Sequence, residues 1–144
     1  MTSGTQAVTA MAFDYGYKRI GVAVGQTVSR TATALKVVPA LNGEPGWSEI
    51  AELVEEWGPD LFVVGMPRFQ NDDAKPFGEA IERFSRRLTG RYRRPVTFVD
   101  ERLSSFAAQH DDQARTNGLD AAAAKMILLT WLEQPNIDGA RISP

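Results

Sequence analysis

Two apolar runs open the chain and are separated by a short polar turn. Residues 7–14 and 20–28 are mainly apolar, and Gly16 lies in the turn between them. Such a pair predicts a β-hairpin. A third stretch, TATALKVVPA at residues 31–40, alternates well enough for a strand and ends at Pro39. Three consecutive strands predict an antiparallel meander.

The hydrophobic period then changes from that of a strand to that of a helix. In GWSEIAELVEEW, residues 46–57, the apolar side chains share one helical face and the glutamates lie opposite, and a Gly-Pro pair ends this predicted helix. The run LFVVGMP, residues 61–67, lacks alternation, which is typical of a strand buried on both faces. A second amphipathic helix is predicted from Pro76 to about Gly90.

The last part of the chain adds one strand and one helix. Residues 95–99 predict a fifth strand that runs into the polar sequence DERLSS. The last helix is predicted to start at Asn117-Gly118 and to reach about Glu133. The predicted order is therefore β-β-β-α-β-α-β-α. Strands that alternate with helices form parallel sheets through right-handed crossovers. We predict an α/β fold with a mixed five-stranded sheet flanked by helices.

Length and composition agree with one domain. The chain has 144 residues, of which 43% are hydrophobic, and we expect one domain over residues 1–144 with an ordered core at about 7–133. It contains no cysteine, which excludes disulfides and cysteine-based metal sites. No apolar run reaches the roughly 18 residues of a transmembrane helix, and the first residues do not resemble a signal peptide. We expect a soluble cytoplasmic protein.

Positive charge is concentrated in one segment although the net charge is −2. Residues 83–94, RFSRRLTGRYRR, hold six arginines and no acid, whereas residues 49–60 are rich in acids. This asymmetry predicts one basic face, which could bind nucleic acid or be an ordinary solvated helix surface. The arginines assigned to nucleic-acid binding are Arg86, Arg87, Arg91, Arg93 and Arg94.

Three acids fall at the ends of predicted elements, where ligands bind in open α/β sheets. They are Asp14, Glu101 and Asp120. Each has a structural alternative. Asp14 could form an Asx turn through Gly16, Glu101 could pair with Arg102, and Asp120 could stabilise the first turn of the last helix. The functional interpretation requires that all three acids meet.

If the three acids meet, they need a cation. Two like charges about 4 Å apart repel by about 4 kcal/mol at an effective dielectric constant near 20. Oxygen ligands without sulfur favour Mg²⁺ or Mn²⁺. Two such ions can support in-line hydrolysis of a phosphodiester bond. The pattern therefore indicates a metal-dependent nuclease, with nearby arginines to hold the nucleic-acid backbone.

Four motifs resemble those of the YqgF family. They are FDYGYKRIGVAVGQ, VVGMP, DERLSS and LDAAAAKMILLTWL, and the similarity runs from about Val8 to Glu133. These small bacterial proteins of the RNase H-like superfamily are related to Holliday junction resolvases. They are also described as nucleases that mature the 5′ end of pre-16S rRNA.

The resemblance implies an RNase H-like fold and a set of site residues. It places the family's acidic triad, which is both catalytic and metal-binding, on Asp14, Glu101 and Asp120. It also implies a nucleic-acid edge formed by Gly16, Lys18, Arg19 and Arg102. The family usually has a small hydroxyl residue where this chain has Tyr17, so this protein is expected to differ from its relatives there. The single histidine, His110, could be a general acid or an ordinary loop residue.

Several functions remain open from the sequence. The first is an endonuclease acting on structured RNA, most simply at the 5′ end of pre-16S rRNA, and a resolvase of DNA junctions is its nearest variant. Arginines bind either backbone, so charge does not separate RNA from DNA. A resolvase that cuts two strands symmetrically would need a homodimer, whereas an rRNA nuclease could be a monomer.

Two other classes of function are weaker. A non-catalytic nucleic-acid-binding or ribosome-assembly factor should lack one or more of the three acids, and all three are present. The spacing D-x-G-x-x-x-x-G also resembles the phosphate hairpin of actin-like ATPases and sugar kinases. Those enzymes need two such domains around a cleft, and 144 residues supply one.

Overall fold

The structure, a computed structural model, describes residues 7–67, 75–100 and 119–134, with the backbone alone for Lys75, Leu119 and Asp120. In these parts of the chain six strands form the sheet: β1 (Thr9–Asp14), β2 (Arg19–Gln26), β3 (Thr31–Leu41), β4 (Glu44–Pro45), β5 (Leu61–Met66) and β6 (Val96–Asp100). Their order is β4-β3-β2-β1-β5-β6. The first four strands form an antiparallel meander, and β5 and β6 continue the sheet parallel to β1. The predicted α/β fold with a mixed sheet is confirmed.

The described residues form three helices: α1 (Trp47–Trp57), α2 (Lys75–Tyr92) and α3 (Leu119–Leu132). The first ends at Gly58, whose φ of 55° is left-handed and whose N–H donates to the carbonyl of Val54 at 2.8 Å. The helical patterns of the sequence are thus reproduced within a few residues at each end. None of these helices is long and apolar enough to cross a membrane.

The two faces of the sheet pack against different helices. Successive side chains of a strand point to opposite faces. Phe13 of β1 packs in the cluster that contains Ile50 of α1 and Leu88 of α2, whereas its neighbour Ala12 packs with Leu128 of α3. The central strands are therefore covered on both sides, which is why their sequences are continuously apolar. We call the two sides of the sheet the α1/α2 face and the α3 face.

The sheet has one more strand than the sequence predicted. Asn42 and Gly43 both have positive φ angles, 50° and 87°, and they turn the chain into the two-residue strand Glu44–Pro45. Asn-Gly is the usual sequence of a tight hairpin turn of this hand. The preceding strand does not end at Pro39, as predicted, but continues to Leu41. Proline is tolerated in this strand because few ladder hydrogen bonds are needed near the sheet edge.

Candidate active site

Asp14 ends the central strand of the sheet and is buried, with 3% of its surface exposed. Directly opposite it in β2 is Gly21. On the other side, Phe13 lies beside Val64 of β5, and Gly65 is the next residue of that strand. Both neighbouring strands therefore carry a glycine close to the aspartate.

Strand alternation decides which face of the sheet each acid shares. Asp14 continues the series of Ala10 and Ala12, which pack on the α3 face. In β6, Val99 packs on that same face. Asp100, the next residue, therefore lies on the α1/α2 face, away from Asp14. The first acid of DERLSS is thus not the one on the Asp14 side of the sheet.

Two predicted site residues follow this strand and lie outside the described residues. They are Glu101 and Arg102. The parallel arrangement of β1, β5 and β6 brings the carboxyl ends of all three strands to one edge of the sheet. Asp100, the last described residue of β6, therefore lies at the same edge of the sheet as Asp14, which we call the Asp14 edge. Glu101 is the next residue in the sequence.

The direction of α3 brings its first turn toward the same edge. Its last residue, Leu132, accepts a hydrogen bond from the Arg30 guanidinium in the β2–β3 turn, at the opposite edge from Asp14. From Leu132 back to Asp120 the helix rises about 18 Å. The length of β1 is similar, about 17 Å. The backbone of Asp120 therefore lies toward the Asp14 end of the α3 face.

The turn after Asp14 holds the other predicted residues of the motif. A Cβ at Gly16 would lie 2.7 Å from the carbonyl oxygen of Arg19, so a side chain at this position would collide with the backbone. Lys18 is exposed, and its carbonyl accepts a hydrogen bond from the N–H of Ala40 at 2.9 Å. The structure thus places Gly16, Lys18 and Arg19 in one tight turn next to the aspartate.

Two tyrosines of this turn pack on the α1/α2 face. Tyr15 is buried, and its hydroxyl donates to the carbonyl of Gly43 at 2.7 Å. Burial raises the pKa of Tyr15, and the nearby Tyr17 raises it further. The hydroxyl is therefore protonated at neutral pH and can act as a donor. Tyr17 is 45% exposed, and its ring contacts Phe77 with centroids 5.1 Å apart.

Two of the predicted nucleic-acid-binding arginines pack against one tryptophan. Arg87 forms a two-pronged ion pair with Glu44, with distances of 3.0 and 2.8 Å, and its guanidinium lies 5.0 Å from the ring centre of Trp47. Arg91 lies 4.1 Å above the same ring. The hydrogen bonds from Arg87 hold the pKa of Glu44 below its ordinary value. No pattern in the sequence indicates this cluster, because Glu44 and Trp47 belong to the hairpin and helix that precede β5.

The remaining arginines of the basic segment lie elsewhere. Arg94 donates to the carbonyls of Pro59 and Tyr92, at the amino ends of β5 and β6 and thus at the edge opposite Asp14. Arg93 has a left-handed φ of 59° just after α2. Arg86 lines an open groove of about 420 Å³ beside β6. That these three arginines bind nucleic acid stays a prediction, and the structure does not bring them to the Asp14 edge.

The described residues contain no group of three acidic or histidine side chains that could hold a metal ion. Of the predicted triad they include the side chain of Asp14 and the backbone of Asp120. The chemistry of the site nevertheless suits a hard cation, because a buried carboxylate at a sheet edge supplies the oxygen ligand that such ions prefer.

Comparison with known proteins identifies the family. The model of the RuvX family, described as Holliday junction resolvase, matches residues 8–134. The chain belongs to this family. The family predicted from the motifs is therefore confirmed.

Two relatives align with most of the chain. A protein of Hydrogenovibrio crunogenus is 41% identical over 133 residues, covering 92% of this chain and 98% of its own. One from Ralstonia pickettii is 48% identical over 126 residues, covering 88% of this chain and 87% of its own. Both are named "Putative pre-16S rRNA nuclease".

Two solved structures of RuvC have a similar fold. Thermus thermophilus RuvC in complex with a Holliday junction substrate aligns with a TM-score of 0.58 at 14% identity, covering 86% of this chain and 92% of RuvC. The same protein in a second structure gives a TM-score of 0.56 at 15% identity, with coverage of 85% and 92%. At this identity the likeness shows the fold alone, and it confirms the predicted RNase H-like fold.

Proposed function

We propose that this protein is a divalent-metal-dependent endonuclease that cleaves phosphodiester bonds in structured RNA, with the 5′ end of pre-16S rRNA as its substrate. Membership of a resolvase-like nuclease family supports the reaction. The names of relatives that are 41% and 48% identical support the substrate. Nucleases of the RuvC and RuvX kind depend on divalent metals in general.

The observation that carries the proposal is the position of Asp14. Asp14 is a buried carboxylate at the carboxyl end of the central strand. Gly21 lies opposite it in β2, and the aspartate lies on the face of the sheet that α3 covers. Its carboxylate supplies oxygen ligands of the kind that hard divalent cations prefer. An apolar side chain would serve better if this position only had to fill the core.

The proposed ligands are Asp14, Glu101 and Asp120. Glu101 directly follows β6, whose carboxyl end lies at the same edge of the sheet as Asp14. The backbone of Asp120 lies in the first turn of α3, and Ala124 and Leu128 of that helix pack against the α3 face. The three acids would then come from three different parts of the fold, which is how a metal site is usually assembled.

The chain's own groups would bind and orient the substrate. Mg²⁺ or Mn²⁺ held by these carboxylates would activate a water and stabilise the leaving oxygen. The exposed Lys18 and the neighbouring Arg19 would hold phosphates beside the site, since cations neutralise the nucleic-acid backbone. Gly16 would keep the turn tight, so that the backbone approaches the substrate closely.

Cleavage of four-way DNA junctions is the second candidate function. The description of the family model and the fold shared with RuvC favour it. The acids and arginines serve either substrate equally well, because both have the same phosphodiester backbone. A junction resolvase would also need two active sites, and hence a dimer.

The test compares both substrates with one enzyme. Purified protein is incubated with a pre-16S rRNA 5′ leader and, separately, with a four-way DNA junction, with Mg²⁺ or with EDTA. We expect cleavage of the leader that EDTA stops and that Asp14→Asn abolishes without a change in the circular dichroism spectrum. Preferred cleavage of the junction would establish the second candidate. Cleavage that persists in EDTA or in Asp14→Asn would exclude the proposed metal site.

A further inference from the structure

Three arginines of α2 form one row on the α1/α2 side of the sheet. Arg83, Arg87 and Arg91 are spaced four residues apart, which places them on one side of the helix. Arg83 and Arg91 are exposed, and the side chain of Arg87 is 35% exposed. Arg83 and Arg87 both act electrostatically on Tyr15, so the row passes close to the tyrosines of the Asp14 turn.

Aromatic rings accompany this row along its whole length. At one end Tyr17 contacts Phe77 at 5.1 Å. At the other end Trp47 stacks on Phe84 with centroids 5.8 Å apart, and Arg91 covers the tryptophan at 4.1 Å. We call this surface the aromatic–arginine strip. It comprises Tyr17, Phe77, Trp47, Arg83, Arg87 and Arg91.

The position of the strip differs from that of the acids. Tyr17 is three residues after Asp14, so the strip starts within about 11 Å of the aspartate along the chain. From there it follows α2 toward the opposite edge of the sheet, because α2 ends where β6 begins. A nucleic acid in contact with both would pass over the turn at Tyr17 and then lie on the α1/α2 face.

Single-stranded nucleic acid is the ligand that this chemistry fits. Proteins bind single strands with a row of cations for the phosphates and flat side chains on which bases stack. Guanidinium planes serve as stacking surfaces as well as aromatic rings do, and Arg91 is already supported from below by Trp47. Paired bases offer no free face to such a surface. The flat groups therefore select unpaired nucleotides, which the cations alone would not do.

A contribution to stability alone explains less of the arrangement of arginines and aromatic rings in the strip. The pair between Arg87 and Glu44 is well formed, but an exposed ion pair contributes little to stability. Glu44 compensates one charge of the row, and the strip keeps a net charge of +2 from its three arginines and this acid. Glu44 thus fixes the orientation of Arg87 without cancelling the attraction of the strip for phosphate.

We infer that the aromatic–arginine strip binds a single-stranded segment of the substrate that flanks the cleaved bond. The inference rests on the proposed nuclease function and adds to it the form of the substrate: a duplex or structured element with an unpaired extension. A four-way junction whose arms are fully paired has no such extension. The strip would therefore favour an RNA precursor end over a junction.

The test measures binding rather than cleavage. In the inactive Asp14→Asn background, fluorescence anisotropy gives the Kd for two RNAs that share one duplex, one blunt and one with an extension of about 10 unpaired nucleotides. We expect Arg91→Ala to weaken binding of the extended RNA by about tenfold and Tyr17→Ala to do likewise, since stacking of one base is worth about 1–3 kcal/mol. Binding of the blunt RNA should stay within about twofold for both variants.

Two further variants make the result decisive. Lys36→Ala removes an exposed cation that pairs with Glu49 outside the strip, and it should change neither affinity. Arg91→Lys keeps the charge but loses the flat stacking surface, so it should recover only part of the affinity. The inference is overturned if Arg91→Ala and Tyr17→Ala weaken both RNAs equally or neither, or if Lys36→Ala matches them. The proposed nuclease function is tested separately, by the cleavage assays with EDTA and with Asp14→Asn, whose outcome does not depend on the strip.

Discussion

Tyr15 and Gly43, 28 residues apart in the sequence, are joined by a hydrogen bond of 2.7 Å from the tyrosine hydroxyl to the glycine carbonyl. The N–H of Gly43 donates in turn to the carbonyl of Tyr17 at 2.8 Å. Gly43 of the β3–β4 hairpin is thus bound through both its N–H and its carbonyl by the turn that follows Asp14. The β3–β4 hairpin was not predicted from the sequence, and it holds the predicted turn after Asp14 in place through these two hydrogen bonds.

Loss of the tyrosine hydroxyl should destabilise the protein measurably. Tyr15→Phe keeps the ring in its aromatic cluster but leaves the carbonyl of Gly43 without this donor. We expect the free energy of unfolding to fall by about 1 kcal/mol, as for a typical partly buried hydrogen bond. Urea denaturation measures it. Tyr17→Phe is the control, since that side chain is 45% exposed and should change stability by less than about 0.5 kcal/mol. Equal stability of wild type and Tyr15→Phe would contradict the prediction.

A side chain at Gly16 should distort the turn beside Asp14. The Cβ of Gly16→Ala would lie 2.7 Å from the carbonyl oxygen of Arg19, which is backbone and cannot move aside without shifting β2. We expect a loss of about 1–3 kcal/mol in stability and reduced cleavage at saturating Mg²⁺. Denaturation curves and cleavage rates measure the two effects.

The control for this change is another glycine-to-alanine substitution. Gly90 lies in α2, and a Cβ there meets no atom within 4 Å. Gly90→Ala should therefore raise stability by up to about 1 kcal/mol through helix propensity and leave cleavage unchanged. If the two substitutions had the same effect, the contact with Arg19 would not be the cause.

The Glu44–Arg87 pair should make stability depend on pH in the acid range. Hydrogen bonds from Arg87 lower the pKa of Glu44 below 4.5 in the folded protein. A carboxylate with a depressed folded pKa stabilises the fold above its unfolded pKa, and this contribution disappears as the pH falls through the folded value. Wild type should exceed Glu44→Gln in urea midpoint at neutral pH, by a small amount because the pair is exposed.

The comparison at low pH completes this prediction. As the pH falls through the folded pKa of Glu44 the carboxyl becomes neutral, and the two midpoints should converge. High salt at neutral pH should also narrow the difference, because it screens exposed charges. A difference that stayed constant between neutral and acid pH would show that Glu44 acts through its packing and not through its charge.

Hydrophobic periodicity was sufficient to predict most of the fold. Residues 47–57 form the predicted helix because their apolar positions recur at the helical period and a Gly-Pro pair follows. The strand Leu61–Met66 was equally clear, since only a doubly covered strand is continuously apolar. Glu44–Pro45 was missed because two residues are too short for a periodic signal. The Asn42-Gly43 turn before it was the available sign.

The candidate site was less predictable than the fold. The sequence places Asp14 at the end of a strand, but it does not reveal that Gly21 lies opposite, because this depends on the register of β2. From the sequence, the arginines of residues 83–94 form one group because they are close along the chain. In the folded protein Arg91 packs on Trp47 while Arg94 binds the carbonyl of Pro59 at the edge opposite Asp14. Periodicity along one element cannot report contacts between elements.

The alternation of β6 leads to a sharp test of the two adjacent acids in DERLSS. Asp100 lies on the α1/α2 face, opposite to Asp14, whereas Glu101 is the acid that the family resemblance places in the triad. We expect Glu101→Gln to reduce cleavage by about 100-fold or more. Loss of a direct metal ligand should cost at least as much as loss of a residue that only hydrogen-bonds to a ligand. Asp100→Asn should retain cleavage within a few-fold. Cleavage rates at several Mg²⁺ concentrations measure both, and only Glu101→Gln should raise the Mg²⁺ concentration that is required. The opposite order of sensitivity would mean that Asp100 and not Glu101 binds the metal.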